Sequence, residues 1–224
     1  MRFVARNDLK GGANLPLATV GGPEGMWVVE ECLDVAESVS VQLEVTASGT
    51  LALFSGAMRT LQGSFTGYAS PLPPSCAHVA RELEEWGTAL GRHLADHGYA
   101  GPFGLDALVD TEGDAHASES NIRRTATTTP HSMVIRLTDG SANAHPAWAV
   151  SKGWTLSPMD FDKALARLRA SRLAFDPERG EGVVLYADVP PDGRSWRYAA
   201  IAGSAADVVQ LEAALAEAFE FEGG

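Results

Sequence analysis

The chain has 224 residues, 45% of them hydrophobic and 21% charged, with a formal net charge of -12. That length and composition fit a soluble globular protein of one large or two small domains, and the acidic balance argues against nucleic acid and anionic membrane surfaces as partners. An anionic ligand would need a local basic patch or a metal ion. The N-terminus, MRFVARNDLKGG, has no apolar signal core, and no run reaches transmembrane length, so the expectation is a cytoplasmic protein. Cys32 and Cys76 follow no metal spacing and are expected as buried free thiols, with a disulfide as the alternative.

In chain order, residues 2–5 read as a short strand running into RNDLKGGANLP, a basic, Gly-rich turn. Such a turn can cradle phosphate through backbone N–H groups, with Arg6 or Lys10 supplying charge, although no Gly-Lys-Ser/Thr closes it as in a Walker loop. A plain Gly-rich loop is the competing reading. The apolar run from Met26 to Val29 ends in Glu30-Glu31. SVSVQLEV, residues 38–45, alternates strictly and reads as a half-buried strand. Ser48-Gly49 makes its turn and residues 51–57 its partner. The Gly, Ser, Thr and Pro density of residues 63–74 predicts a surface loop. Ser75 is the expected N-cap of a helix reaching His97, with Val79, Leu83, Trp86, Leu90 and Leu94 as its apolar stripe and Gly98 as its stop. His78, His93 and His97 are expected to be exposed helix residues.

The most informative stretch follows, GPFGLDALVDTEGDAHASESNIRR. It reads as a β-hairpin turning at Glu112-Gly113. A two-residue turn there sets Asp106 opposite Glu119. Directly opposed like charges are destabilising, so something should compensate. Asn121 lies on the same face, two positions beyond Glu119, and Arg123 follows. Two carboxylates and an amide oxygen make a hard-oxygen site of the kind Mg²⁺ uses. From spacing alone, a solvated face with a chance acidic pair fits equally well, since a one-residue slip dissolves the pairing. Beyond the hairpin, residues 136–152 show little periodicity. Ser157-Pro158 then caps a helix through Leu173 with Phe161, Leu165 and Leu168 inward, residues 182–189 and 195–201 form a hairpin, and Ser204 caps a last helix with Val208, Leu211 and Leu215 inward.

The order of these features is a Gly-rich loop (LKGGAN), a VVEE strand end, an ESVSVQ strand, a long helix ending in Gly-Tyr, then GPFGLDALVDTEG and SESNIRR. It resembles the ATP-grasp carboxylate-amine ligases, most of all the peptide ligases of natural-product pathways. The resemblance covers residues 2–131, and the tail matches in outline. It implies an α+β, ATP-grasp-like fold with a mixed or antiparallel sheet, packed helices and a small C-terminal helix-hairpin-helix unit. It further implies three parts: a partial lid at 1–27, a Mg/ATP-binding subdomain at 28–139 and an extension at 140–224.

The same resemblance implies site roles. Asp106, Glu119 and Asn121 would bind Mg²⁺ bridging the ATP phosphates. Glu30, Glu31 and Leu33 would border the adenine, Glu37 would take the ribose hydroxyls, and Arg123 would stabilise the phosphorylated substrate. The implied activity joins an amino acid or small peptide to an amine through an acylphosphate, with a non-catalytic nucleotide- or partner-binding module as the alternative. The family also has an N-terminal domain ahead of the Gly-rich loop and a Lys on the strand before it. Here that strand reads FVAR, Arg6 takes the nearest position and Lys10 sits in the loop. The resemblance is therefore to the C-terminal portion of a ligase, and it calls for an N-terminal domain or a separate subunit as partner.

Overall fold

The computed structural model describes residues 32–61, 64–186 and 192–221. Two units are distinguished, Met1–Asp34 and Val35–Gly224, and the architecture below is that of the second. Its elements are β1 (Val35–Thr46), β2 (Gly49–Leu61), β3 (Ser64–Ser70), a 3-10 turn (Pro74–Val79), α1 (Ala80–Asp96), β4 (Gly101–Asp110) and β5 (Ala115–Asn121). Then come α2 (Thr128–Thr138), β6 (Ala147–Trp154), α3 (Phe161–Ala170), β7 (Gly182–Leu185), β8 (Ser195–Ala202) and α4 (Ala205–Phe219). The eight strands form one sheet in the order β5-β4-β1-β2-β3-β6-β8-β7, and every paired neighbour is antiparallel. The class is α+β, with the helices laid on the two faces.

The alternation of β1 decides the layering. Val39, Val41, Leu43 and Val45 point to one face, where they meet Phe103, Leu105, Ala107 and Val109 of β4 and the α1 side with Cys76, Val79 and Leu83. Each such fully buried aliphatic contributes about 1.5–3 kcal/mol relative to exposure. Leu83 is buried, and Trp86, Leu90 and Leu94 pack partly, so the predicted stripe of α1 is the observed one. On the same face α3 and α4 cover the β8 end through Ala164, Leu168, Leu215 and Phe219 against Trp196, Tyr198 and Val183. The opposite face carries α2, whose Val134 joins Tyr68, Trp148, Val150, Ala199 and Ile201.

Five expectations are corrected. The predicted surface loop at 63–74 contains β3, which pairs with β2 and β6 in the middle of the sheet and buries Tyr68 completely. Its Gly, Ser and Thr content reads as loop locally, but cross-strand packing overrides propensity. The aperiodic stretch at 136–152 holds most of β6, flanked on both sides by strands and rich in small residues for that reason. Ser75 is no N-cap, since the 3-10 turn begins after Pro73 without a side-chain cap and α1 follows from it. α3 starts at Phe161, capped by Asp160, whose Oδ1 accepts from Lys163 N–H at 2.8 Å, rather than at Ser157-Pro158. Ser204 does cap α4, accepting from Asp207 N–H at 3.2 Å. Both cysteines are free, but only Cys76 is buried, while Cys32 is exposed.

Candidate functional site

The hairpin of β4 and β5 delivers the predicted pair by an unexpected route. Its loop is not the two-residue Glu112-Gly113 turn. Asp110 N–H donates to Asp114 O at 3.0 Å and Gly113 N–H to Asp110 O at 3.1 Å, which closes a loop over residues 111–113. Gly113 sits at φ +94°, a conformation open to glycine. The Asp110 carboxylate accepts from the N–H groups of Glu112 and Asp114 at 2.9 and 3.0 Å and holds His116 Nε2 at 2.8 Å. These bonds hold the Asp110 carboxyl below its ordinary range, His116 being the largest cause. The longer loop shifts the register by one residue as far as the Ala107–Ala117 pair. The register then breaks between Asp106 and Ala107, leaving Ser118 as an extra residue, and Asp106 faces Glu119 with Gly104 facing Asn121. This is a β-bulge, a device that re-aims side chains at sites.

Asp106 and Glu119 therefore lie directly across the ladder on the α2 side of the sheet. Asn121 Nδ2 donates to Asp106 Oδ2 at 3.1 Å, and Arg123 Nη2 donates to Asn121 Oδ1 at 2.8 Å. The Asp106 carboxyl is pushed up to about 6, first by burial and then by the charge of Glu119, against the pull of Arg123 and the bond from Asn121. A carboxylate held this way is short of positive charge. The donor set of two carboxylates and an amide oxygen suits a hard divalent cation, and such an ion would relieve the repulsion that raises Asp106. Among the described residues there is no group of three or more His, Cys, Asp or Glu placed to hold a metal, so the set rests on Asn121 as its third donor. Its Oδ1 is taken by Arg123 here and would have to be released.

Beneath this pair runs a buried polar network that the sequence did not announce. Ser40 and Gln42 of β1 share the Asp106 face, opposite Asp106 and Gly104, and are 1% and 3% exposed. Tyr68 OH donates to Ser40 O at 3.2 Å, and Gln42 Nε2 donates to Ser40 Oγ at 3.3 Å. Thr125 Oγ1 donates to Gln42 Oε1 at 2.8 Å and lies 2.9 and 3.1 Å from the hydroxyls of Thr127 and Thr128. Burial raises the Tyr68 phenol well above its usual value. The available signal was a polar Ser-x-Gln pair in a strand whose neighbour offers Gly104. It reads as an ordinary solvent face when β1 is taken for half-buried.

Arg6, Lys10, Glu30 and Glu31 lie outside the described residues, and Leu33 precedes β1 and is half-buried. Glu37 is on β1 opposite Val109. Alternation puts it on the Val39 face, across the sheet from Asp106.

No curated protein matches the chain. The family described as the PGM1 C-terminal domain matches residues 163–215, which run from α3 to α4. Among solved structures, the chain is similar to the phosphoribosylaminoimidazole carboxylase ATPase subunit of Aquifex aeolicus, with 12% identity and a TM-score of 0.55 over 85% of this chain and 58% of that one. It is similar also to the N5-carboxyaminoimidazole synthase of Aspergillus clavatus in complex with ADP and 5-aminoimidazole ribonucleotide (10% identity, TM-score 0.56, 84% and 53% covered). A third is the N5-carboxyaminoimidazole ribonucleotide synthetase of Thermus thermophilus (13%, 0.55, 82% and 51%). At these identities the likeness is one of fold. The architecture is ATP-grasp-like, and the chain spans about half the length of these structures.

Proposed function

We propose that the chain carries the phosphate end of an ATP-dependent carboxylate-amine ligase site, one that makes peptide-type amide bonds through an acylphosphate. The carrying observation is the opposed Asp106–Glu119 pair, with Asp106 raised to about 6 and Asn121 and Arg123 tied to it. Support comes from the fold and from two of the structures that share it, one described as a complex with ADP and one with ATP. A substrate carboxylate oxygen attacks the γ-phosphorus and ADP leaves. The amine then attacks the acyl carbon, phosphate leaves and the nitrogen loses a proton. Such transfer depends on positioning and charge neutralisation rather than on a protein nucleophile. Asp106 and Glu119, with Asn121 Oδ1 once released, would hold Mg²⁺, which neutralises phosphate charge when bound. Arg123, freed from Asn121, offers its fork of donors to the transferring phosphoryl oxygens.

Titration calorimetry with ATP, with and without Mg²⁺, tests this reading. Mg²⁺-dependent binding should weaken at least tenfold in Glu119→Ala. Equal affinity with and without Glu119 would refute the metal assignment. ADP release over a panel of amino acids and small peptides then identifies the substrate class. One observation favours a second reading, a nucleotide- or partner-binding module without catalysis: Arg123 already serves as the cation of the Asn121–Asp106 chain. Nucleotide binding without ADP release for any acceptor would select it.

A further inference from the structure

The Gln42–Thr125 bond spans 83 residues of sequence and joins the floor of the sheet to the segment that carries Arg123. Gln42 is 3% exposed in a strand whose other buried residues, apart from Ser40, are Val and Leu. A buried amide costs roughly 1–3 kcal/mol unless it is satisfied. Both ends of this one are: Nε2 bonds Ser40 Oγ, and Oε1 takes the Thr125 hydroxyl. Room for it is made by Gly104, where a Cβ would come within 2.7 Å of Gln42 Nε2 and 2.9 Å of Oε1. An apolar pair of the same shape would serve folding nearly as well, so the amide is doing something other than filling the core.

What it orders is the connection from Asn121 to α2. Thr125 Oγ1 is the hub, and Thr125 N–H donates to Thr128 Oγ1 at 3.0 Å, closing the segment onto the first residue of α2. Arg123 stands two residues before this hub. Its N–H donates to Asn121 O at 2.9 Å, its Nη2 to Asn121 Oδ1 and its Nη1 to Arg124 O at 3.2 Å. With Asn121 anchored at one end and Thr125 at the other, the Arg123 backbone is fixed on both sides while its side chain stays exposed.

We infer that Gln42, through Thr125, is a positioning residue that fixes the Arg123 guanidinium beside the Asp106–Glu119 pair. At 3% exposure, Gln42 would act through Thr125 rather than on a phosphate directly. The catalytic meaning of this role rests on the ligase reading above, whereas the positioning does not.

The test uses Thr125→Val, which keeps shape and removes the hydroxyl, Thr125→Ser, which keeps the hydroxyl, and Gln42→Leu. In the ¹⁵N-labelled chain, the Arg123 Nε–H signal is assigned by its loss in Arg123→Lys. It should move toward the averaged position of solvent-exposed arginines in Thr125→Val and in Gln42→Leu, and return in Thr125→Ser. The double variant should add nothing further, because the two residues act as one unit. An Arg123 signal unmoved in both Thr125→Val and Gln42→Leu overturns the inference, as does a Thr125→Ser chain that behaves like Thr125→Val. A second readout compares ADP with ADP plus aluminium fluoride, a mimic of the transferring phosphoryl group, in the presence of Mg²⁺. Thr125→Val should lose about tenfold in affinity for the mimic and leave ADP alone unchanged, and equal loss for both would overturn the inference. If the unaltered chain binds no nucleotide, the ligase reading fails and the Arg123 signal still decides the positioning.

Discussion

Replacing Glu119 by Gln should make the protein more stable and less able to bind a metal. Asp106 and Glu119 are directly opposed on β4 and β5, and like charges so placed cost about 0.2–1 kcal/mol. Coulomb's law at roughly 5 Å in a water-like medium gives about 0.8 kcal/mol, the right scale for a pair whose Glu119 is exposed. Glu119→Gln keeps the size and removes the charge, so a gain of about 0.5–1 kcal/mol is expected near neutral pH, or roughly 1–4 °C in midpoint for a chain of this length. The Asp106 carboxyl should fall from about 6 only partway toward its ordinary value, because burial is the larger cause and remains. The sign of the pH effect follows. Asp106 holds its proton more tightly folded than unfolded, so its stabilising contribution is complete below about pH 4 and is lost as pH rises through 6. In the variant that window narrows from its upper end. Carboxyl ¹³C titration and urea unfolding between pH 4 and 7.5 measure both quantities. An unmoved Asp106, or a destabilised variant at neutral pH, would refute the electrostatic account of the pair.

Three further outcomes are expected. Glu212→Ala removes the two-pronged bond from Arg59, at 2.6 and 2.8 Å, and the acceptor of Tyr198 OH at 3.1 Å. With the Glu212 side chain only 13% exposed, it should cost about 2–3 kcal/mol in urea unfolding. Ser204→Ala deletes the cap of α4 and should cost about 1 kcal/mol by the same measurement. His131 stacks on Phe54 at 4.0 Å with a buried, unpartnered Nδ1, and burial lowers its pKa. The fold thus favours the neutral ring, and stability should drop as pH falls below about 6.5. His131→Phe should lose that drop when unfolding is compared at pH 7.5 and 5.

What could be read from the sequence depended on how far apart the deciding contacts lie. β1, the hairpins and α1 announce themselves by local period, and Val39 to Val45 and Val79 to Leu94 pack as their spacing requires. β3 and β6 did not, because each is set between two other strands, and their small residues, such as Ala149 against Ala69, record close packing that resembles loop composition. α2 was hidden by Thr127, Thr128, Thr129 and Pro130, a β-branched run ending in proline that has poor helix propensity. Pro130 is tolerated in the first turn, where its missing N–H breaks no helical bond, and packing of Val134, Met133 and Leu137 against Tyr68 and Trp148 supplies the stability.

The site divides along the same line. Asp106 and Glu119 are thirteen residues apart across one hairpin, so turn geometry was enough to propose the pair, while the Gln42–Thr125 bond closes a span that no local pattern encodes. Even the hairpin held a hidden step. The loop at 111–113 by itself would oppose Ser118 to Asp106 and turn Glu119 to the other face, since a one-residue slip inverts a strand. The bulge at Ser118, whose hydroxyl donates to Asp106 O at 3.3 Å, restores Glu119 to the shared face. An irregularity that cancels the turn's own register shift and brings two like charges together, against the stability of the pair, is what the proposed cation-holding role of Asp106 and Glu119 would require.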